Sequence, residues 1–109
     1  MTIQQEKLKL KAKLFRGLGD STRLAILESL RNGEKSASEI TKKVAQSQSN
    51  VSNHLACLLE CGLVKNRRDG KNILYSLADK KIEEILEDGE KILSEVAKRI
   101  YSCVNYDEP

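Results

Sequence analysis

Residues 47–64 read SQSNVSNHLACLLECGLV, and this stretch constrains the chain more than any other. It opens on Ser47, which can cap a helix, continues without Pro or Gly, and closes at Gly62. At about 100° per residue, Val51, Leu55, Leu58 and Leu59 share one face and should be buried. Ser49, Ser52, Asn53 and Ala56 gather on the opposite face. Small and amide-bearing side chains let a helix enter the major groove of double-stranded DNA and touch base edges. Ser47, Gln48 and Asn50 in the first turn join Ser49, Ser52 and Asn53 as candidate contacts. Cys57 and Cys61 fall on a third stripe along the flank.

The rest of the chain can be read as support for that helix. Residues 2–15 are Lys-rich with Leu8, Ala12 and Phe15 at helical spacing, and Gly17 and Gly19 are expected to break this first helix. Asp20 or Ser21 caps a second helix through Leu30 whose apolar face is Leu24, Ile26, Leu27 and Leu30, ended by Asn32-Gly33. Ser36-Ala37-Ser38-Glu39 fits a capping box, so a short third helix runs to about Val44, with Ile40 and Val44 inward. A short helix, a tight connection and a longer helix with one polar side make a helix-turn-helix. Beyond Gly62, residues 63–68 and 71–77 flank Asp69-Gly70, a pair favoured in two-residue hairpin turns. Ile73, Tyr75 and Leu77 alternate with polar residues as in a half-buried strand, and Arg67, Arg68 and Lys71 crowd the tip. A bare hairpin of this kind could simply be solvated; beside residues 47–64 it reads as a wing that grips phosphates.

From Asp79 a long helix is expected to about Tyr101, with Ile82, Ile85, Leu86, Ile92, Leu93, Val96 and Ile100 inward. Positions 82, 89, 96 and 103 lie seven apart, a seam suited to pairing with another helix, and Gly89 on it permits close approach. With no Trp, one Phe and three Tyr in 109 residues, the core has few large anchors, so stability is expected to lean on dimerisation. The homodimer surface predicted is Leu8 and Phe15 of the first helix with Ile85, Gly89, Ile92, Val96 and Ile100 of the last. The expectation is one domain over residues 1–109, mainly α with a β-hairpin wing (α+β), a winged helix-turn-helix paired through its N- and C-terminal helices.

A net charge of +3 confines any basic footprint to local patches. No signal peptide or apolar run of about eighteen residues is found, so the chain is expected to be soluble and cytoplasmic, with no membrane partner. No nucleophile is paired with a base, and a lone His with scattered carboxylates makes no active site, which excludes an enzyme.

In that compartment three cysteines read as thiols or metal ligands. Side chains at i and i+4 of a helix have Cβ atoms about 5–6 Å apart, near enough to share one ion. Thiolates favour soft cations such as Cd(II) or Pb(II); Zn(II) is admitted but usually wants four ligands. The competing reading makes Cys57 and Cys61 small, half-buried hydrophobes. His54, one turn before Cys57, fits packing or hydrogen bonding better than ligation, and Asp107 and Glu108 read as an acidic tail.

Two motifs add a resemblance. Leu18-Gly19-Asp20-Ser21-Thr22-Arg23-Leu24-Ala25-Ile26-Leu27 resembles the second-helix signature of the ArsR/SmtB winged-helix repressors. Ser49-Asn50-Val51-Ser52-Asn53-His54-Leu55, with Leu58 and Gly62-Leu63-Val64, resembles their recognition helix and its exit. The likeness covers roughly residues 8–103 and implies a homodimeric, metal- or redox-responsive repressor of a palindromic operator. The last helix lacks the His of the zinc sensors, and the third helix lacks the Cys pair of the arsenic sensors. Cys57, Cys61 and Cys103 are similar to the CmtR-type cadmium/lead sensors, although no Cys precedes residue 57. That resemblance implies two thiolates from the recognition helix, a third from the C-terminal region of the other subunit, and Cd(II) or Pb(II) as inducer. The alternative is a thiol redox switch on the same cysteines.

Overall fold

In a computed structural model, the backbone of residues 2–107 and the side chains of residues 2–97 and Arg99 are described. They fall into two compact units that divide after Asp79.

The first unit opens with α1 (Ile3–Gly19). Thr2 caps it in a reciprocal box: the Gln5 N–H donates to Thr2 Oγ1 at 3.1 Å, and the Thr2 N–H donates to Gln5 Oε1 at 2.9 Å. The expected break at Gly17 does not occur. A helical glycine costs about 1 kcal/mol but does not stop a helix. The stop comes at Asp20, whose extended backbone (φ −75°, ψ 126°) lets Oδ1 accept the N–H groups of Thr22 and Arg23, each at 3.0 Å. That cap starts α2 (Ser21–Ser29), which ends at Leu30, ahead of Asn32-Gly33.

A strand that the sequence pattern concealed follows, β1 (Lys35–Ser36), and Ser36 then caps α3 (Ala37–Val44) with Glu39 closing the box. Ala45 leaves α3 in the left-handed region at φ 56°, its N–H bonded to the Thr41 carbonyl at 3.1 Å. This joint turns the chain into α4 (Gln48–Glu60), capped by Ser47 and released at Cys61 and at Gly62 (φ 77°).

β2 (Val64–Asp69) and β3 (Asn72–Leu77) form the hairpin, and β1 pairs with the far side of β3, giving the antiparallel order β1-β3-β2. The turn differs from expectation by one residue. Asp69 pairs with Asn72, so Gly70 and Lys71 are the central pair. Gly70 at φ 64° supplies the positive first position of a type II′ turn. The strict alternation expected in β3 is absent as well: Ile73 is 43% exposed, and Leu74 to Leu77 are all half-buried because β3 is the central strand.

Ile26, Leu27 and Leu30 of α2 meet Ile40 of α3 and Val51, Leu55 and Leu58 of α4 in one core, each at most 3% exposed. Burying each such side chain contributes about 1.5–3 kcal/mol. Leu24 and Leu59, expected to join them, lie at the margin. α1 adds no buried residue.

In the second unit α5 (Lys80–Asp107) is longer than the sequence suggested. The expected inward stripe is open over much of its length, with Ile92 59% and Leu93 51% exposed, and space is free around Gly89. Ile100 and Cys103, and with them the tail carboxylates, lie outside the described side chains. Among the described residues no helix is long and apolar enough to cross a membrane.

Candidate nucleic-acid interface and thiol groove

The three stripes of α4 have separate environments. On the first turn, the Ser47 hydroxyl accepts the Asn50 N–H at 3.1 Å, and Asn50 Nδ2 donates to Gln46 Oε1 at 3.1 Å. Ser47 and the half-buried Asn50 therefore serve the α3–α4 joint, although both had been grouped with the reading face. Gln48, Ser49, Ser52 and Asn53 are exposed; among the described residues their side chains make one contact, a long 3.5 Å approach of the Ser49 hydroxyl to that of Ser47. Free amides and hydroxyls on an exposed helix face can exchange water for base edges.

The wing separates two arginines that looked equivalent. In the β2–β3 register Arg67 lies opposite Leu74 and Arg68 opposite Ile73, so they project from opposite faces of the ribbon. Arg67 is held by Glu34, with Nε donating to Oε2 at 3.0 Å and a second guanidinium nitrogen donating to Oε1. The pairing holds the Glu34 carboxyl below its usual range and pushes the Arg67 guanidinium up. Arg68 and Lys71 have no ion-pair partner among the described residues. At the tip of the wing the free cationic charge thus sits on Arg68 and Lys71, while Arg67 is shared with an acid.

Along the flank of α4, Cys57 is half-buried and Cys61 is exposed at the helix end, its N–H bonded to the Cys57 carbonyl at 2.9 Å. Cys57 and Cys61 lie one helical turn apart on this flank. Desolvation by the surrounding protein pushes the Cys61 thiol up, and Cys57 adds to it by charge and by hydrogen bonding. His54 Nδ1 accepts from Arg23 Nε at 3.3 Å, so that lone pair is committed to hydrogen bonding.

Both thiols line a groove of about 570 Å³ between α1, α2 and α4. Lys13 and Arg16 from α1, Arg23 from α2 and Glu60 from α4 share it, with Leu10, Leu14 and Leu63 as its apolar wall. Sequence reasoning did not foresee these charged neighbours. The only signal was the Lys13–Arg16 spacing of three, which puts both on one helix face. Among the described residues no three His, Cys, Asp or Glu side chains converge as a metal site. The donor set there is two neighbouring thiols, which fits a thiophilic ion as a partial ligand set and not a hard cation. Cys103, the expected third thiol, lies outside the described side chains.

An exposed polar helix after a tight joint, followed by a cationic hairpin, defines a winged helix-turn-helix regulator. Residues 20–66 match the family described as bacterial regulatory protein, arsR family. CmtR, a transcriptional regulator of Mycobacterium tuberculosis, is 36% identical over 98 residues, covering 90% of this chain and 76% of that protein. The probable mercury resistance operon repressor of Streptomyces lividans is 41% identical over 75 residues, 69% of this chain. The match spans 60% of that relative, less than two thirds of its length. The crystal structure of M. tuberculosis Rv0081 superposes with a TM-score of 0.80 at 37% identity, covering 85% of this chain and 95% of that one. This chain belongs to the arsR family of bacterial regulatory proteins: it is a transcriptional regulator and not an enzyme.

Proposed function

We propose that the chain is a transcriptional repressor that binds operator DNA as a homodimer and leaves it when a soft, thiophilic metal ion binds Cys57 and Cys61. One observation carries the reading: the two thiols line one groove along the flank of the same helix that exposes Ser49, Ser52 and Asn53. An effector held there acts on the reading helix itself, with no relay between distant sites. Cd(II) or Pb(II) suits a thiolate-rich set best, with Zn(II) a weaker match, and Cys103 is the proposed third thiolate. The similarity to CmtR and to a mercury resistance repressor supports the metal class. Pairing is supported by α1, whose Leu8 and Phe15 are 68% and 59% exposed on a helix that buries nothing. Ile85, Gly89, Ile92, Val96 and Ile100 are its proposed counterparts on α5. Oxidation of the same thiols is the alternative trigger, and the peroxide arm of the test below separates it from metal binding.

The test is fluorescence anisotropy of labelled promoter DNA with cadmium, lead, zinc and peroxide added separately. Coupling of about 1–3 kcal/mol should lower operator affinity about 5- to 150-fold with cadmium or lead. Cys57→Ser or Cys61→Ser should abolish the response and leave metal-free binding nearly intact. If protein lacking all three thiols still leaves DNA when cadmium is added, the sensor site is elsewhere.

A further inference from the structure

The groove around the thiol pair is larger than a bare metal ion needs and carries an excess of positive charge beside the sulfurs. A water-sized ion fills about 30 Å³, whereas the groove holds about 570 Å³, within the range of small-molecule pockets. Lys13, Arg16 and Arg23 line it against the single carboxylate of Glu60. Lys13 and Arg16 have no partner among the described residues, and Arg23 spends only its Nε on His54. An excess of positive charge repels a free divalent cation and attracts an anion. The apolar wall of Leu10, Leu14 and Leu63 leaves room for an organic body beside the sulfurs.

We infer that this groove binds the metal as an anionic complex with carboxylate-bearing small thiols, and that Cys57 and Cys61 take the ion over by ligand exchange. The inference rests on the sensor reading above and names the form in which the effector arrives. Lys13 and Arg16 hold the carboxylates of the incoming thiols, and Arg23 flanks the sulfurs. Each cysteine forms one metal–sulfur bond as one bond to a small thiolate breaks. The proton of each cysteine thiol passes to a departing thiolate, so two small thiols leave and no oxidation state changes. Glu60 disfavours a second anion and so helps the spent thiols leave.

The probe is cadmium supplied in three forms to the full-length protein: the bis(glutathione) complex, which is anionic, the bis(cysteamine) complex, which is cationic, and cadmium chloride. Time-resolved native mass spectrometry counts chains holding one cadmium. Loading from the glutathione complex should be about tenfold faster than from the cysteamine complex at low salt. The preference should shrink toward unity near 1 M salt, where the screening length is about 3 Å. The Lys13→Gln, Arg16→Gln protein should lose the preference and keep its equilibrium affinity for cadmium within about twofold; sedimentation checks that its assembly is unchanged. Equal loading from the two complexes, or a preference that survives the double substitution, overturns the inference while leaving the sensor reading intact. Failure to take cadmium from any of the three sources overturns both.

Discussion

Two amphipathic helices of this chain have opposite relations to its interior. α4 sinks Val51, Leu55 and Leu58 to 1% exposure or less, whereas α1, longer by four residues, buries none and leaves Leu8, Leu10 and Phe15 more than half exposed. Both have apolar stripes and both have side-chain caps, so neither propensity nor capping separates them. The difference is the partner. The stripe of α4 is answered by α2 and α3 within the same chain, and that of α1 has no such answer in its own unit. An apolar face of this size, left open on a small protein, is a surface for another copy or another molecule. α4 is therefore packed by the chain's own helices, while the apolar face of α1 is left open within its unit.

The strongest way to break that contrast is inside the core. Leu55→Ala should cost about 2–5 kcal/mol of stability, read by urea denaturation, because the surrounding helices cannot collapse into the space left behind. A loss under about 1 kcal/mol would mean α4 is less anchored than its burial indicates. On α1, Leu8→Asp with Phe15→Asp should convert dimer to monomer in sedimentation velocity and abolish tight operator binding. The same pair should change the unfolding free energy of the dilute chain by only about 0.5 kcal/mol per site. A pair of charges there that leaves a dimer intact would remove α1 from the interface.

Two smaller effects sharpen the contrast at the outer surface of the first unit. Asn53→Ala should weaken operator binding by about 1–3 kcal/mol and relax base preference at one position. Arg68→Ala should lower affinity for every sequence alike and flatten the salt slope by about one unit. Arg67→Ala should flatten it less, since Glu34 already shares that charge. Equal slopes for the two arginine variants would show that DNA displaces Glu34 completely.

How much of this could be read from the sequence depended on distance along the chain. Ser47, the Leu stripe and Gly62 are all local signals on α4, and each stands where its chemistry demanded. The capping box at Ser36 and Glu39 was equally plain. Gly17 misled, because a glycine inside a helix looks like one that ends it; Asp20 decided the matter through a cap to the next helix. β1 has two residues, too few for any period, and exists because β3 pairs with it. The Arg67–Glu34 pair and the charged lining of the thiol groove bring together residues dozens of positions apart. Only the fold supplies that juxtaposition. Cys57 and Cys61 were legible as a pair from their spacing of four, but their cationic setting was not.

The joint at Ala45 has a consequence that can be stated in mutational terms. An alanine at φ 56° bears strain that glycine would not, and a proline, fixed near −65°, cannot adopt that angle at all. One base change turns an alanine codon into one for glycine, valine, threonine, serine, proline or an acidic residue. Valine and threonine add a branched β-carbon where even a single methyl is crowded, so random drift at this position is lopsided. Of these neighbours only glycine removes the strain outright, and it does so by widening the range of backbone angles open at the joint between α3 and α4.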